Sequence, residues 1–347
     1  MKKSLLAVAL LGAFAGVAHA QSSVVIYGNL DLGMIKRTDQ TLAIGKRANN
    51  TLGFKGTEDL GNGLSAIFQL ETRYEPDTGT NESVTRPLFQ GQTRVGLTGG
   101  FGTLRIGRGL TAFQETSIAF EPFHGIPSPA GFQADMMVGG YDSDRLGTPG
   151  NSRNRFSNAL WYNSPEFMGI QINTTIASKE AGGNTVAIPG RGIGGGPQYG
   201  INAPASANPY SISATWKNGP GAIMLAAERN AIETTVKSVA GYVFVNPATK
   251  LMFSITRQNL EHTKLTDQNV RAWVVGANYT MGAGKLLAGY GQKNADGEAK
   301  VKQLSIGYEY SLSKRTYIYT DLSNKKGVVV GGKNSINHLD LGINHAF

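Results

Sequence analysis

The stretch Leu339–Phe347, LDLGINHAF, alternates strictly. Leu339, Leu341, Ile343, His345 and Phe347 fall on one side of an extended chain, and Asp340, Gly342, Asn344 and Ala346 on the other. Successive side chains of a strand point to opposite faces, so this is a ribbon with one apolar and one polar side. It stops on an aromatic, with no tail to cover the apolar side. Which solvent that side meets is indicated at the other end of the chain.

Residues Met1–Ala20 read as a secretory signal peptide, with a basic start at Lys2 and Lys3, an apolar run Leu5–Val17 and an Ala18-His19-Ala20 cleavage site. The run is shorter than the roughly 20 residues a membrane helix needs, and no later stretch approaches ~18 consecutive apolar residues. The expectation is an exported chain beginning near Gln21, folded as a single domain over residues 21–347. The 347 residues include 46 glycines and no cysteine, so disulfides do not hold this exported fold. Removing Lys2 and Lys3 takes the formal charge from +9 to +7. The cations are spread singly rather than in blocks, which argues against a nucleic-acid partner.

The alternation recurs upstream. Val24, Ile26, Leu30 and Leu32 alternate with Val25, Tyr27, Asn29 and Asp31, and Ala66, Phe68 and Leu70 with Ile67, Gln69, Glu71 and then Arg73. Short connections (Thr57–Asn62, Gly99–Gly102, Ser164–Met168, Asn218–Pro220, Asn246–Ala248, Met281–Ala283, Leu312–Lys314) alternate with longer polar ones. The longer set is Lys36–Asn49, Pro76–Phe89, Leu110–Asn151, Lys179–Asn208, Asn230–Thr235, Leu260–Asn269, Asn294–Ala299 and Lys325–Asn334. Strands counted between them number sixteen, an even tally that suits an all-β antiparallel transmembrane β-barrel with short periplasmic turns and long external loops. A soluble sandwich would also alternate. However, Asn29, Asp31, Gln69, Glu71, Arg73 and Arg94 are too hydrophilic for its packed interior, and they suit a water-filled lumen. Gly190-x-Gly192-x-x-Gly195 matches a dinucleotide fingerprint by letter, but it sits in loop sequence without the flanking strand and helix that motif requires.

Several segments together resemble the general porins of β-proteobacterial outer membranes. They are Ser23–Asp31 (SVVIYGNLD), Leu52–Glu71 (LGFKGTEDLGNGLSAIFQLE), Val95–Arg108 (VGLTGGFGTLRIGR), Arg155–Pro165 (RFSNALWYNSP), Leu312–Thr316 and the closing NHAF, Asn344–Phe347. The resemblance implies a homotrimer in the Gram-negative outer membrane, among lipid and lipopolysaccharide. It implies a third loop, by position Leu110–Asn151, folded inward to narrow the pore. It also implies that Phe347 is read by the barrel-assembly machinery, that Glu71 faces the pore, and that Arg155 belongs to the eyelet. This chain departs from the pattern at Thr51, Gly91 and Arg94, where many relatives have arginine, arginine and an aromatic, and at Ser157-Asn158 in place of an asparagine pair.

A channel works through width and field, so side-chain facing is its chemistry. A cation facing lipid at mid-membrane costs roughly 2–4 kcal/mol, so strand cations belong on the lumen side. Lys55, Arg73, Arg94, Arg153 and Arg155 all fall there by parity, with Arg73 and Arg153 near the external rim. Glu115, Glu121 and Asp135 of the third loop are candidates for an opposing acidic wall. One charge about 8 Å away shifts an ion by roughly 0.5 kcal/mol in water and ~0.2 kcal/mol after physiological screening. The expectation is passive diffusion of small hydrophilic solutes and ions, with moderate anion preference. The alternative is a channel specific for organic acids or other anionic solutes, with Phe113, Phe120, Phe123 and Phe132 as a sliding surface rather than packing that pins the loop. Catalysis is not expected: there is no G-x-S-x-G elbow, and His124, His262, His338 and His345 have no metal-ligand spacing. No cofactor or metal is implied.

Overall fold

In the chain's structure, a computed structural model, the described residues are 23–82, 87–138, 141, 143, 154–179, 207–231, 233–259 and 269–347. Met1–Ala20, Arg153, His262 and the Gly190–Gly195 motif lie outside them. Sixteen long strands form the wall: β1 Ser23–Arg37, β2 Thr51–Gly61, β3 Leu64–Glu75, β4 Gln92–Gly99, β5 Gly102–Leu110, β6 Arg155–Asn163, β7 Ile170–Ala177 and β8 Tyr210–Asn218. The second half is β9 Gly221–Arg229, β10 Thr235–Asn246, β11 Thr249–Asn259, β12 Asn269–Met281, β13 Gly284–Ala295, β14 Val301–Ser311, β15 Thr316–Val330 and β16 Lys333–Ala346. Two short pieces, Ala43–Gly45 and Thr80–Asn81, pair inside the long loops.

Each long strand pairs antiparallel with its sequence neighbours, and β1 closes the ring. Its first half, Ser23–Asn29, pairs with Thr51–Thr57, and its second half, Asn29–Arg37, pairs with His338–Ala346. That stagger is the shear a closed barrel needs. Phe347 finishes the seam: Gly28 and Phe347 exchange N–H···O bonds of 3.1 Å in both directions. The ring of Phe347 covers Gly28, whose missing side chain leaves the room.

Along most of the wall apolar alternation points outward. Val24, Ile26, Val95, Ile106, Leu225, Ile255, Leu304 and Leu341 are exposed on the outer surface, while Asp31, Arg94, Ser213, Ser238, Gln303 and Asp340 are buried on the inner face. Closure satisfies the backbone without water, which is why such a wall survives in hydrocarbon. Among the described residues no helix is long and apolar enough to cross a membrane.

Two connections differ from the sequence reading. Residues 325–334 are not a long loop: β15 and β16 run on to a tight turn on Gly331 (φ 57) and Gly332 (φ 78). Above the apolar band both faces of a strand meet water, so Lys325, Lys326 and Asn334 carry no hydrophobic signature of a strand. Residues 57–61 are likewise paired, and the hairpin turns on Asn62 (φ 52) and Gly63 (φ 75), the primed geometry that Asn-Gly favours.

The apolar core lies within the barrel, on the segment after β5. Helix α1, Ala112–Ser117, is capped by the Thr111 side chain, and a π-helical turn follows at Gln133–Met137. Phe123, Phe132, Met136 and Met137 pack on the inward residues Val274 and Leu287. Phe113, Phe120 and Tyr141 pack on Met224, Val236 and Ala240. Burying each such aromatic is worth about 1.5–3 kcal/mol, so this segment is firmly held against the inner wall.

Candidate functional site

The inner faces of β2, β3 and β4 bring the polar-parity residues into register. Lys55 stands opposite Gln69, and Gln69 opposite Arg94. One hydrogen-bonded chain joins them. The Arg94 guanidinium donates to Gln69 Oε1 at 2.9 Å, Gln69 Nε2 donates to the Tyr27 hydroxyl at 2.7 Å, and that hydroxyl donates to Glu71 Oε2 at 3.1 Å. The Lys55 ammonium is exposed and lies 5.2 Å above the Tyr27 ring.

From the inward-folded segment, Glu115 at the first turn of α1 reaches this wall. Its Oε1 accepts from Arg94 at 2.7 Å, and its Oε2 accepts from Arg105 at 3.3 Å. Arg94 also stacks 5.6 Å from the Trp161 ring and is 7% exposed. Glu115 is thus held between two guanidinia. Arg105 is absent from the sequence-derived candidates, although it alternates with the outward Leu104 and Ile106 and so shares the parity used for the others.

Gly91 shows how the local departure is accommodated. A Cβ at this position would sit 2.3 Å from Glu71 Oε1, so the carboxylate occupies the space a side chain here would need. The Gly91 carbonyl accepts from Arg155 Nε at 2.6 Å, and Arg155 is 3% exposed. Arg155 is therefore buried beneath the lumen surface, near Arg73, Glu71, Arg108 and Glu82. Arg73 faces inward on β3 opposite Thr51 and is half-buried.

Of the other two loop acids, one is half-exposed beside a cation and the other is buried. Asp135 is ion-paired with Lys325. Glu121 is a correction: it is 1% exposed, and it accepts from the backbone N–H of Phe123 at 2.9 Å, Gly125 at 2.6 Å and Phe132 at 2.9 Å. It closes the loop's own turn and lines no water. Burial raises its carboxyl to about 7, against the pull of those three amides. The four loop phenylalanines are each at most 2% exposed, so they pin the loop and form no sliding surface.

On the opposite wall, cations absent from the sequence-derived set meet the same segment. Lys250 donates to the Ala119 carbonyl at 2.8 Å, and its ammonium sits 4.2 Å over the Tyr242 ring. Lys285 meets His124 Nε2 at 2.7 Å. Arg47, from the first long loop, is 1% exposed and bonds Asp321 at 2.5 Å and Glu309 at 2.8 Å.

One Ser–His–Asp grouping arises. His338 Nε2 lies 3.1 Å from Ser128 Oγ and 2.8 Å from Asp340 Oδ2. Both partners meet the same ring nitrogen, whereas a proton relay uses the two nitrogens separately, and all three residues are buried. The grouping ties Ser128 of the inner segment to β16. Among the described residues no cluster of three or more His, Asp or Glu could hold a metal ion.

A family model described as Gram-negative porin matches residues 7–328. The chain is 32% identical to outer membrane porin protein 32 of Delftia acidovorans and 25% identical to an outer membrane porin protein of Bordetella pertussis, with the whole of both chains covered in each case. Among solved structures, it is similar to the anion-selective porin from Comamonas acidovorans at a TM-score of 0.76 and 22% identity, covering 94% of this chain and 100% of that one. It is also similar to the trimer form of OmpT of Vibrio cholerae at a TM-score of 0.67 and 13% identity, covering 94% and 99%. These structural likenesses concern the fold.

Proposed function

The chain belongs to the Gram-negative porin family, and we propose that this outer-membrane porin is a trimeric general diffusion channel with moderate anion preference. The closed barrel supplies a water-lined path, and solutes are sorted by size and charge. The observation that carries the anion preference is the disposition of charges around the inner segment. Glu115 is held between Arg94 and Arg105, Asp135 pairs with Lys325, and Glu121 is buried on backbone amides. Lys55 and Lys250 form no ion pair with a carboxylate among the described residues, so their fields reach a passing ion, while Lys285, without a close ion pair, stands opposite Glu309 on the next strand. The anion-selective porin of Comamonas acidovorans, which shares the fold, points the same way.

The trimer is supported by the family and by the trimer form of the OmpT neighbour. Export with loss of Met1–Ala20, membership of Arg153 in the basic wall, and recognition of Phe347 by the assembly machinery belong to the same reading. So does the absence of catalysis, since the curated relatives are porins and the buried Ser128–His338–Asp340 grouping has the wrong ring geometry for a relay. Liposome swelling with neutral sugars, cationic amino acids and organic acids tests the general character. A general porin ranks them by size and charge without saturation, and saturation by one organic acid would instead support the substrate-specific alternative.

A further inference from the structure

Four acids crowd one stretch of the inner wall: Asp31 on β1, Glu309 on β14, Asp321 on β15 and Asp340 on β16. Asp321 stands directly opposite Asp340, and like charges directly opposite on adjacent strands repel. Left bare, this stretch would draw cations into the lumen. Asp340 is met by His338 and Ser128, and Asp31 accepts from the Tyr319 hydroxyl and the Asn344 amide, each at 2.9 Å. For Glu309 and Asp321 the partner comes from outside the wall. Among the described residues, Arg47 of the first long loop is the cation that bonds both.

The Arg47 guanidinium forks onto Asp321, donating from Nε to Oδ2 at 2.5 Å and from Nη2 to Oδ1 at 3.2 Å, and its Nη1 donates to Glu309 Oε1 at 2.8 Å. The Tyr319 ring lies 4.8 Å from it. The chain is clipped on both sides of Arg47: Ala43–Gly45 pair with Gly33–Ile35, and Asn50 exchanges hydrogen bonds with the Asp31 backbone. Its own amide donates to Asp31 Oδ1 at 2.6 Å, so the side chain is delivered to a fixed place. The arginine is hidden, whereas the Glu309 side chain keeps 13% of its surface open. Lys285 is directly opposite Glu309 on β13, yet its ammonium lies 2.7 Å from His124 Nε2 rather than on that carboxylate.

We propose that Arg47 is a specificity-determining residue of the channel: delivered by a loop and hidden from the water, it offsets the wall acids Glu309 and Asp321 and leaves Lys285 to the lumen. Without the guanidinium, Glu309 turns to the lumen and to Lys285, and the stretch gains one net negative charge. Burial does not silence Arg47, because charges inside the wall are screened by salt much less than charges in open water. Its fork geometry also explains the residue type, since a guanidinium can hold two carboxylates at once where an ammonium is a single point charge. This role rests on the porin reading above, but it concerns the direction of a change in selectivity and not the sign of the parent's preference.

The test is the reversal potential of the purified oligomer in a KCl gradient, compared between the parent, R47Q, R47K and R47Q/E309Q. In R47Q the chloride-to-potassium permeability ratio should fall roughly twofold or more. Adding E309Q should return it close to the parent, and R47K, which keeps the charge, should stay close to the parent throughout. An unchanged ratio in R47Q overturns the proposal. So does a ratio that E309Q fails to restore, or R47K falling as far as R47Q, since Arg47 would then be a brace only. Should R47Q assemble poorly, E309Q alone should raise the ratio about twofold by uncovering the Arg47 charge, and no change there also overturns the proposal. A parent that prefers potassium would refute the anion preference proposed above, while a fall from parent to R47Q would still support this role for Arg47.

Discussion

The Arg94 guanidinium donates to Glu115 Oε1 at 2.7 Å, joining the barrel wall to the first turn of the inward-folded segment. The acid nearest the basic wall is thereby neutralised locally, and its removal should expose both Arg94 and Arg105 to the lumen. In E115Q a passing anion gains and a cation loses about 0.2 kcal/mol each after screening, so the anion-to-cation permeability ratio rises roughly twofold. Reversal potentials of E115Q and parent in the same salt gradient check this, and an unchanged ratio contradicts it.

The lumen lysines that form no ion pair among the described residues should carry the preference the other way. In K55A, K250A and K285A each substitution lowers the ratio by about twofold on the same arithmetic, and the triple variant by several-fold. Lys250 and Lys285 also hold Ala119 and His124 of the inner segment, so their single variants should show noisier current than K55A. Planar-bilayer recordings separate the two effects.

Much of this is legible in the sequence. Alternation alone put Leu339 to Phe347 outward, and parity put Lys55 and Arg94 inward. Arg105 was legible by the same rule from Leu104 and Ile106. Arg47 was not: its partner Asp321 is 274 residues away, and a loop has no periodicity to say that it folds inward. Glu121 was misread for a related reason. A loop carboxylate and one spent on backbone amides look alike in sequence, and the difference is a local turn closed by Gly125 and Phe132.

Arg47 makes a stability prediction. Asp321 is fully buried beside it, and removing one partner of a buried pair leaves an uncompensated charge that costs roughly 3–5 kcal/mol. Glu309 remains and offsets part of this, so D321N should cost about 3 kcal/mol or less. The temperature at which the barrel loses its compact mobility in detergent gels should drop. R47L/E309Q/D321L should lose less than R47L alone, which leaves both carboxylates facing the vacated guanidinium site.

Glu121 makes a pH prediction with a definite sign. Its folded carboxyl titrates near 7, above the ordinary value of about 4.3, so folding favours the protonated form. That contribution is fully present below about pH 4.5 and is lost as pH rises through 7, with an upper limit of about 3 kcal/mol. Amide protection at Phe123, Gly125 and Phe132, corrected for intrinsic exchange, should fall between pH 5 and 8. E121Q should remove that dependence, and a flat profile in the parent would refute the burial argument.

Among the described acids of the inner segment, Glu115 and Asp135 are ion-paired and Glu121 is buried on backbone amides, while Lys55 and Lys250 face the lumen without an ion-paired carboxylate. The most direct measurement is the zero-current potential of the purified native oligomer across a planar bilayer in a tenfold KCl gradient. The potential should have the sign that marks chloride as more permeant than potassium, by several-fold. A potential of the opposite sign, marking potassium as the more permeant ion, would contradict it.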